Sequence, residues 1–278
     1  MIQVKNDLTD VTIKDDFDLN KIISSGQIFR AKKIHNYTYR FITKNKVLYI
    51  SSKNKFLYKV NCDINTWKAV WVPYFSLETN YRHIRLDALG IHPFIDRAID
   101  KGKGLRILRQ DPWEMLITFI ISQRKTIPAI TSAVQQLSNA FGSPIKTPWE
   151  IIYTFPSPKQ LQCVTAQTLQ SFSLGYRARY VLDAIEQVLS GKLQLNKLSS
   201  MSDKQLLHSL LQIKGVGEKV ANCVGLFSYG RVGMVPIDTW IKKAINEDCH
   251  GHDPFTLYKN MAGIIQQYVF YYQKHCKS

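Results

Sequence analysis

The residues able to do covalent chemistry lie close together in the last third of the chain. Leu210-Leu211-Gln212-Ile213-Lys214-Gly215-Val216-Gly217-Glu218-Lys219-Val220-Ala221-Asn222-Cys223 reads as one apolar-periodic helix that turns through Gly-Val-Gly into a second. Gly215 and Gly217 allow a tight turn and leave backbone N–H groups uncovered. Those groups and the start of the next helix, up to Val220, make an anion site suited to a phosphodiester. Lys219 falls in the first turn of that helix, where the macrodipole opposes added positive charge. A lysine there can serve as an amine nucleophile or simply contact phosphate. Nineteen residues on, Val235-Pro236-Ile237-Asp238-Thr239-Trp240 sets one carboxylate in an apolar, aromatic context. Asp238 can steady a developing positive charge, or it can only cap a helix.

These groups need a scaffold, and the chain changes texture near residue 100. Tyr37-Thr38-Tyr39-Arg40-Phe41 and Lys46-Val47-Leu48-Tyr49-Ile50 predict neighbouring strands of an antiparallel meander. Beyond Gly102-Lys103-Gly104, read as a hinge, the punctuation is helical. Asp111-Pro112-Trp113-Glu114 supplies an N-cap, a proline in the first turn and a glutamate three residues on. Ser157-Pro158-Lys159-Gln160 repeats the pattern, Ser202 and Gln205 form a capping box, Phe141-Gly142 stops a helix and Asp253-Pro254 opens the last one. The expectation is an α+β chain: residues 1–103 an N-terminal antiparallel β-rich domain, residues 104–278 a helical region of one or two subdomains, with the hairpin at about 203–230.

Composition limits the partner. The 278 residues carry 37 Lys+Arg against 21 Asp+Glu, a formal net charge of +16. Residues 1–100 hold 16 basic and 10 acidic side chains and the rest 21 and 11, so no basic tail carries the excess. With 45% hydrophobic and 12% aromatic residues the chain is too apolar for a disordered polycation. A folded surface of this charge attracts a polyanion, nucleic acid before a lipid surface. The longest apolar run, Met115 to Ile121, falls far short of the roughly 20 residues that span a bilayer. The N-terminus shows no signal-peptide core. Five scattered cysteines contain no Cys-x-x-Cys pair, which argues against a zinc ribbon, a disulfide framework or an iron–sulfur cluster. Abundant Lys, Ile and Asn suggest an AT-rich genome, so a prokaryotic, cytoplasmic and nucleoid-associated setting is expected.

Together, hairpin, Lys219 and Pro-Ile-Asp238 resemble the helix-hairpin-helix DNA glycosylase superfamily, with its Gly/Pro-rich loop and aspartate. Three further segments are similar to its 8-oxoguanine glycosylase/lyase branch: Ser25-Gly26-Gln27-Ile28-Phe29-Arg30, Leu174-Gly175-Tyr176-Arg177-Ala178-Arg179-Tyr180 and Ala262-Gly263-Ile264-Ile265-Gln266-Gln267-Tyr268-Val269-Phe270. The resemblance runs from about Phe17 to Tyr272 and takes in Arg109-Gln110-Asp111-Pro112. It implies that Lys219 and Asp238 are catalytic. Gly26 would accept from N7–H of the lesion, Gln266 would hold its Watson–Crick edge, and Phe270 and Cys223 would sandwich it, with Lys219 and Cys223 forming a dipole. Tyr176 would wedge into the stack, and Arg177 and Arg124 would address the estranged base. The carbonyls of Leu211, Ile213 and Val216 would offer a site for a structural cation. As bare patterns, Gly26 is also a turn glycine, Cys223 a buried thiol, Phe270 a core aromatic and the Tyr176 helix start a solvated face.

The chain departs from the family at Gln123-Arg124-Lys125-Thr126, at Ala129 and at Trp240, which puts the preference for cytosine opposite the lesion in doubt. The reaction implied is base flipping, excision through a lysine Schiff base, then strand nicking by β-elimination. No cofactor is expected; the partner is duplex DNA containing 8-oxoguanine, no membrane is involved, and the enzyme acts as a monomer. Two alternatives stand beside it: a monofunctional alkylbase glycosylase of the same fold, for which Lys219 has no use, and a non-catalytic helix-hairpin-helix DNA-binding protein.

Overall fold

A computed structural model describes residues 8–277 and the backbone of residues 2–3. Thr9–Thr12, Leu57–Val60, Lys46–Ser52, Thr38–Thr43 and Lys32–His35 lie side by side, in that order, as one antiparallel sheet. Tyr39 pairs with Ile50 and Phe41 with Leu48, and Lys44 turns the chain between their strands at φ +50°. The predicted meander is therefore present. Its central strands do not alternate in burial, because both faces are covered. Tyr39, Phe41, Leu48 and Ile50 face a core built on Trp71, Tyr74 and Phe75. Ile42, Val47 and Tyr49, one residue out of phase, face Ile145 and Ile152. Those two come from a hairpin, Pro144–Lys146 and Ile151–Tyr153, that the helical part folds back over the sheet. Arg40 on this second face is held by Glu150 at 2.6 Å.

The helical part has its own apolar core, which takes in Tyr81, Ala88 and Phe94 from before residue 103 and Phe29 from the N-terminal part. The helix Pro93–Gly102 packs on the C-terminal helix Ala262–Cys276, and Gly102 allows the approach: a Cβ there would lie 2.4 Å from the Tyr268 ring. Gly102-Lys103-Gly104 is thus a packed crossing and not a hinge. Gly104, at φ +97°, touches Asp18, while Lys21 donates to the carbonyls of Lys101 and Lys103.

Two other readings need correction. Ser157 and Gln160 make the side-chain bonds of a capping box, yet only a turn follows. Asp253-Pro254 opens a 3-10 segment, Pro254–Met261, broken where Lys259 takes φ +44°; the last α-helix starts afterwards at Ala262. The remaining punctuation holds. Asp111 accepts from Glu114 N–H at 3.0 Å, and Ser202 and Gln205 form the reciprocal box. Among the described residues no helix is long and apolar enough to cross a membrane.

The two parts are joined through Arg106, whose side chain is fully buried. Its guanidinium donates to the carbonyls of Phe75, Asp16, Ser76 and Thr79 and to the Asp15 carboxylate, and lies 4.2 Å from the Tyr81 ring centroid. An arginine can be buried this way only because nearly every N–H finds an acceptor. Replacing Arg106 with Leu leaves those acceptors unpaired, and urea unfolding should show a loss of about 3–5 kcal/mol, typical of breaking a buried ion pair from one side.

Candidate active site

The second hairpin helix, Glu218–Tyr229, starts at Gly217 with no side-chain cap, so its first N–H groups stay free. Gly217 has open space where a side chain would be; Gly215, at φ +77°, packs face-on against Tyr180, whose ring would lie 2.2 Å from a Cβ. The turn is thus shaped for backbone contact with an anion on one side and for packing on the other. Val216 and Val220 fill the space beneath it. Ile213 O accepts from Val216 N–H at 3.0 Å within the same turn.

Lys219 is half-buried, with Nζ 5.2 Å from the ring centroid of Phe119. Phe119 stacks on Phe227 and meets Phe29 edge-on, so the lysine rests on a ring anchored by the Gly26–Arg30 segment. Cys223, one turn further along, is buried. Burial pushes its thiol up to about 11, while the adjacent Lys219 charge pulls it down and the Asp238 carboxylate adds to the rise. A Lys219–Cys223 dipole therefore ends in a neutral thiol at physiological pH, not in a thiolate. Asp238 caps the helix Thr239–Asp248, its Oδ1 accepting from Ile241 N–H at 2.9 Å. Burial raises the pKa of Asp238; the Ile241 hydrogen bond and the Lys219 charge oppose the rise. The cap thus fixes the carboxylate where the Lys219 charge acts on it.

Gly26 and Phe270 meet from opposite ends of the chain. Gly26 sits at φ +78°, and a Cβ would lie 2.9 Å from Phe270 Cε1 and 3.5 Å from Ile127 Cδ1. Gln266, one turn before Phe270, is buried, and its Oε1 has no hydrogen-bond partner among the described residues. A buried carbonyl oxygen without a donor is unusual and leaves an acceptor open in the pocket beside Phe270.

Three residues that sequence reading left without roles hold Gly26 in place. Gln267 donates to Ser25 O at 2.6 Å across 242 residues. Gln27 donates to Arg106 O at 2.9 Å and accepts from Leu108 N–H at 2.8 Å. Gln110 donates to Gln27 O at 2.8 Å. The available signal was two successive glutamines, Gln266-Gln267, in an apolar helix, since buried amides must find partners.

At the expected wedge, Tyr176 is 44% exposed and Arg124 is exposed at φ +50°. Arg177 is buried, its guanidinium donating to the carbonyls of Gln123, Arg124 and Leu174, which lie at a helix end and in turns.

Sheet, helical body, hairpin and Asp238 loop together define a DNA glycosylase of the helix-hairpin-helix superfamily. The family profile "8-oxoguanine DNA glycosylase, N-terminal domain" matches residues 11–116. An N-glycosylase/DNA lyase of Saccharomyces cerevisiae is 29% identical over 262 residues, spanning 84% of this chain and 69% of the yeast protein. MBOgg1, solved with a low-affinity DNA ligand, superposes with a TM-score of 0.91 at 34% identity, covering 98% of this chain and 96% of that one. The Clostridium acetobutylicum 8-oxoguanine glycosylase/lyase, bound to duplex DNA with cytosine opposite 8-oxoguanine, gives 0.88 at 30% identity over 97% and 99%. The chain belongs to the 8-oxoguanine DNA glycosylase/lyase family.

Two outcomes follow from the geometry. Asp238→Asn keeps the cap, since Asn caps as well as Asp. With the native pKa of Asp238 raised, the ionised form costs stability above that pKa, and the cost vanishes as pH falls below the unfolded value. The variant should melt at or above the wild-type temperature at pH 7.5, with the difference shrinking in an acid titration of Tm. Gly26→Ala places a Cβ against Phe270 at positive φ, so calorimetry should show a loss of about 1–2 kcal/mol, together with impaired lesion excision.

Proposed function

We propose that the protein flips 8-oxoguanine out of duplex DNA, excises it through Lys219 and then nicks the strand. The observation that carries this reading is a half-buried Lys219 in the first turn of a helix with no side-chain cap, resting on Phe119 one turn before the buried Cys223, with its charge felt by the buried Asp238 carboxylate.

A lesion inside the stack is out of reach, so the strand must open first. The N–H groups from Gly215 to Val220 hold the backbone, and Tyr176 fills the space left in the duplex. The backbone carbonyls of Leu211, Ile213 and Val216 are hard oxygen donors that suit a cation, whose charge would help hold a phosphate there. In the pocket, Gly26 accepts from the N7–H that guanine lacks, Gln266 Oε1 accepts from the Watson–Crick edge, and the base lies between Phe270 and Cys223. The Lys219 nitrogen bonds to C1′, giving up a proton, as the C1′–N9 bond breaks and that bond's electron pair leaves with the base. Asp238 steadies the positive charge on the sugar. Opening of the sugar ring gives a Schiff base between Lys219 and C1′. Loss of a C2′ proton then breaks the C3′–O bond, releasing the 3′ phosphate side and nicking the strand. Duplex DNA carrying the lesion is the partner of a monomer, and no organic cofactor enters any step.

Borohydride should trap a covalent complex with duplex containing 8-oxoguanine, and Lys219→Gln should abolish it while lowering excision about 1,000-fold or more. Excision by Lys219→Gln at the wild-type rate would remove the nucleophile assignment and favour a monofunctional glycosylase. Asp238→Asn should slow single-turnover excision about 100-fold with little change in DNA affinity; equal losses in both would reduce Asp238 to a cap.

A further inference from the structure

The backbone carbonyls of Ser24, Ser25 and Gln27 are all occupied, and the one between them is open. Ser24 O, the last carbonyl of the helix Leu19–Ser24, accepts from Lys274 Nζ at 2.9 Å and lies 3.1 Å from His275 Nε2. Ser25 O accepts from Gln267 Nε2 at 2.6 Å, and Gln27 O from Gln110 Nε2 at 2.8 Å. Gly26 O accepts no hydrogen bond among the described residues. Gln267, Lys274 and His275 belong to the same helix, Ala262–Cys276, that carries Gln266 and Phe270. Lys274 follows Phe270 by four residues and Gln266 by eight, so the helix face that builds the pocket continues into the grip on Ser24.

We infer that Lys274, assisted by His275, is a positioning residue that sets the preference for 8-oxoguanine. It ties Ser24 O to the pocket helix and so keeps Gly26 O in register with Gln266 and Phe270. The inference rests on the function proposed above, in which Gly26 O accepts from N7–H. A glycine at φ +78° has no side chain of its own to hold its carbonyl in place. Each peptide unit turns as one plane. Bonds to Ser24 O and Ser25 O therefore fix the two planes before the one that carries Gly26 O, and the bond to Gln27 O fixes the plane after it. The acceptor is held from both ends while its oxygen stays free. The last carbonyls of a helix lack partners within it, and water could serve Ser24 O as well. Here the donor comes instead from 250 residues away, on a half-buried lysine.

Equilibrium binding separates this role from general stabilisation. Lys219→Gln protein, expected to hold DNA without excising the base, is titrated by fluorescence anisotropy with three duplexes. One carries 8-oxoguanine opposite C, one carries guanine in its place, and one carries a tetrahydrofuran abasic analogue, which offers no base to Gly26. In that background, Lys274→Met with His275→Ala strips both side chains from Ser24 O. The preference for 8-oxoguanine over guanine should fall about 5- to 10-fold, as expected for one weakened hydrogen bond. Affinity for the abasic analogue should stay within about twofold. Lys274→Met alone keeps most of the side chain's bulk and should lower the preference about threefold, so the test does not depend on the double variant folding. Lys274→Arg keeps a donor and should retain the preference within about twofold. An unchanged preference in the Lys274→Met proteins would overturn the inference. An equal loss on all three duplexes would mark general loosening and overturn it as well. A parent protein that binds the abasic analogue yet shows no preference for 8-oxoguanine over guanine would reject the Gly26 reading in the proposed function, and the inference with it.

Discussion

One peptide, Ser25-Gly26-Gln27, has to be held still, and much of the molecule is organised around holding it. On the proposed function Gly26 accepts from the N7–H of 8-oxoguanine, so this acceptor must not drift. Gln267 from the last helix, Gln110 from the link between the two parts, and Gln27 itself fix the peptide from three sides. Each amide is buried, where an unmade bond would cost about 1–3 kcal/mol. That cost binds the sheet, the 104–110 segment and the C-terminal helix into a single assembly. Arg106 works to the same end: its carbonyl accepts from Gln27, and its side chain closes the loops from Phe75 to Thr79.

A second consequence is a division of labour between charge and neutrality. The excess of +16 supplies attraction for a polyanion, which salt weakens and sequence does not direct. The groups gathered around Gly26 and Lys219 are mostly uncharged: a peptide, an amide, a ring and a protonated thiol. Lys219 and Asp238 bring the charge, and the Lys219 charge counters part of what burial does to Asp238. The carboxylate is held by a helix cap. Under the proposed function capping and catalysis are not rival explanations of Asp238, because the cap fixes the carboxylate in place.

Much of this was legible in the chain because it rests on local rules. The Tyr37–Ile50 meander, the Asp111 and Ser202 caps and the hairpin around Gly215 follow from short-range stereochemistry, which the residues themselves carry. Ser157-Pro158 shows the limit of that logic: the cap bonds form, but the chain makes only a turn that buries Leu161 before Thr165 caps a new helix at Ala166. Gly102 and Gly104 show another, since a glycine that permits close packing and one that permits motion look alike in sequence. The doubly buried strands Thr38–Thr43 and Lys46–Ser52 were likewise hidden, because the hairpin covering their outer face lies about 100 residues away.

By itself, the sequence determined which residues are candidates for the chemistry, Lys219 and Asp238, and which short motifs surround them, because residue type and spacing of a few positions suffice for that. Tertiary structure alone decided what those residues face. It set Phe270 on Gly26, left Gln266 Oε1 without a donor among the described residues, laid Lys219 over Phe119, and turned Arg177 toward the carbonyls of Gln123 and Arg124. The physical reason is that a buried donor takes the nearest free acceptor, and which acceptor is nearest depends on segments that meet only when the whole chain has folded.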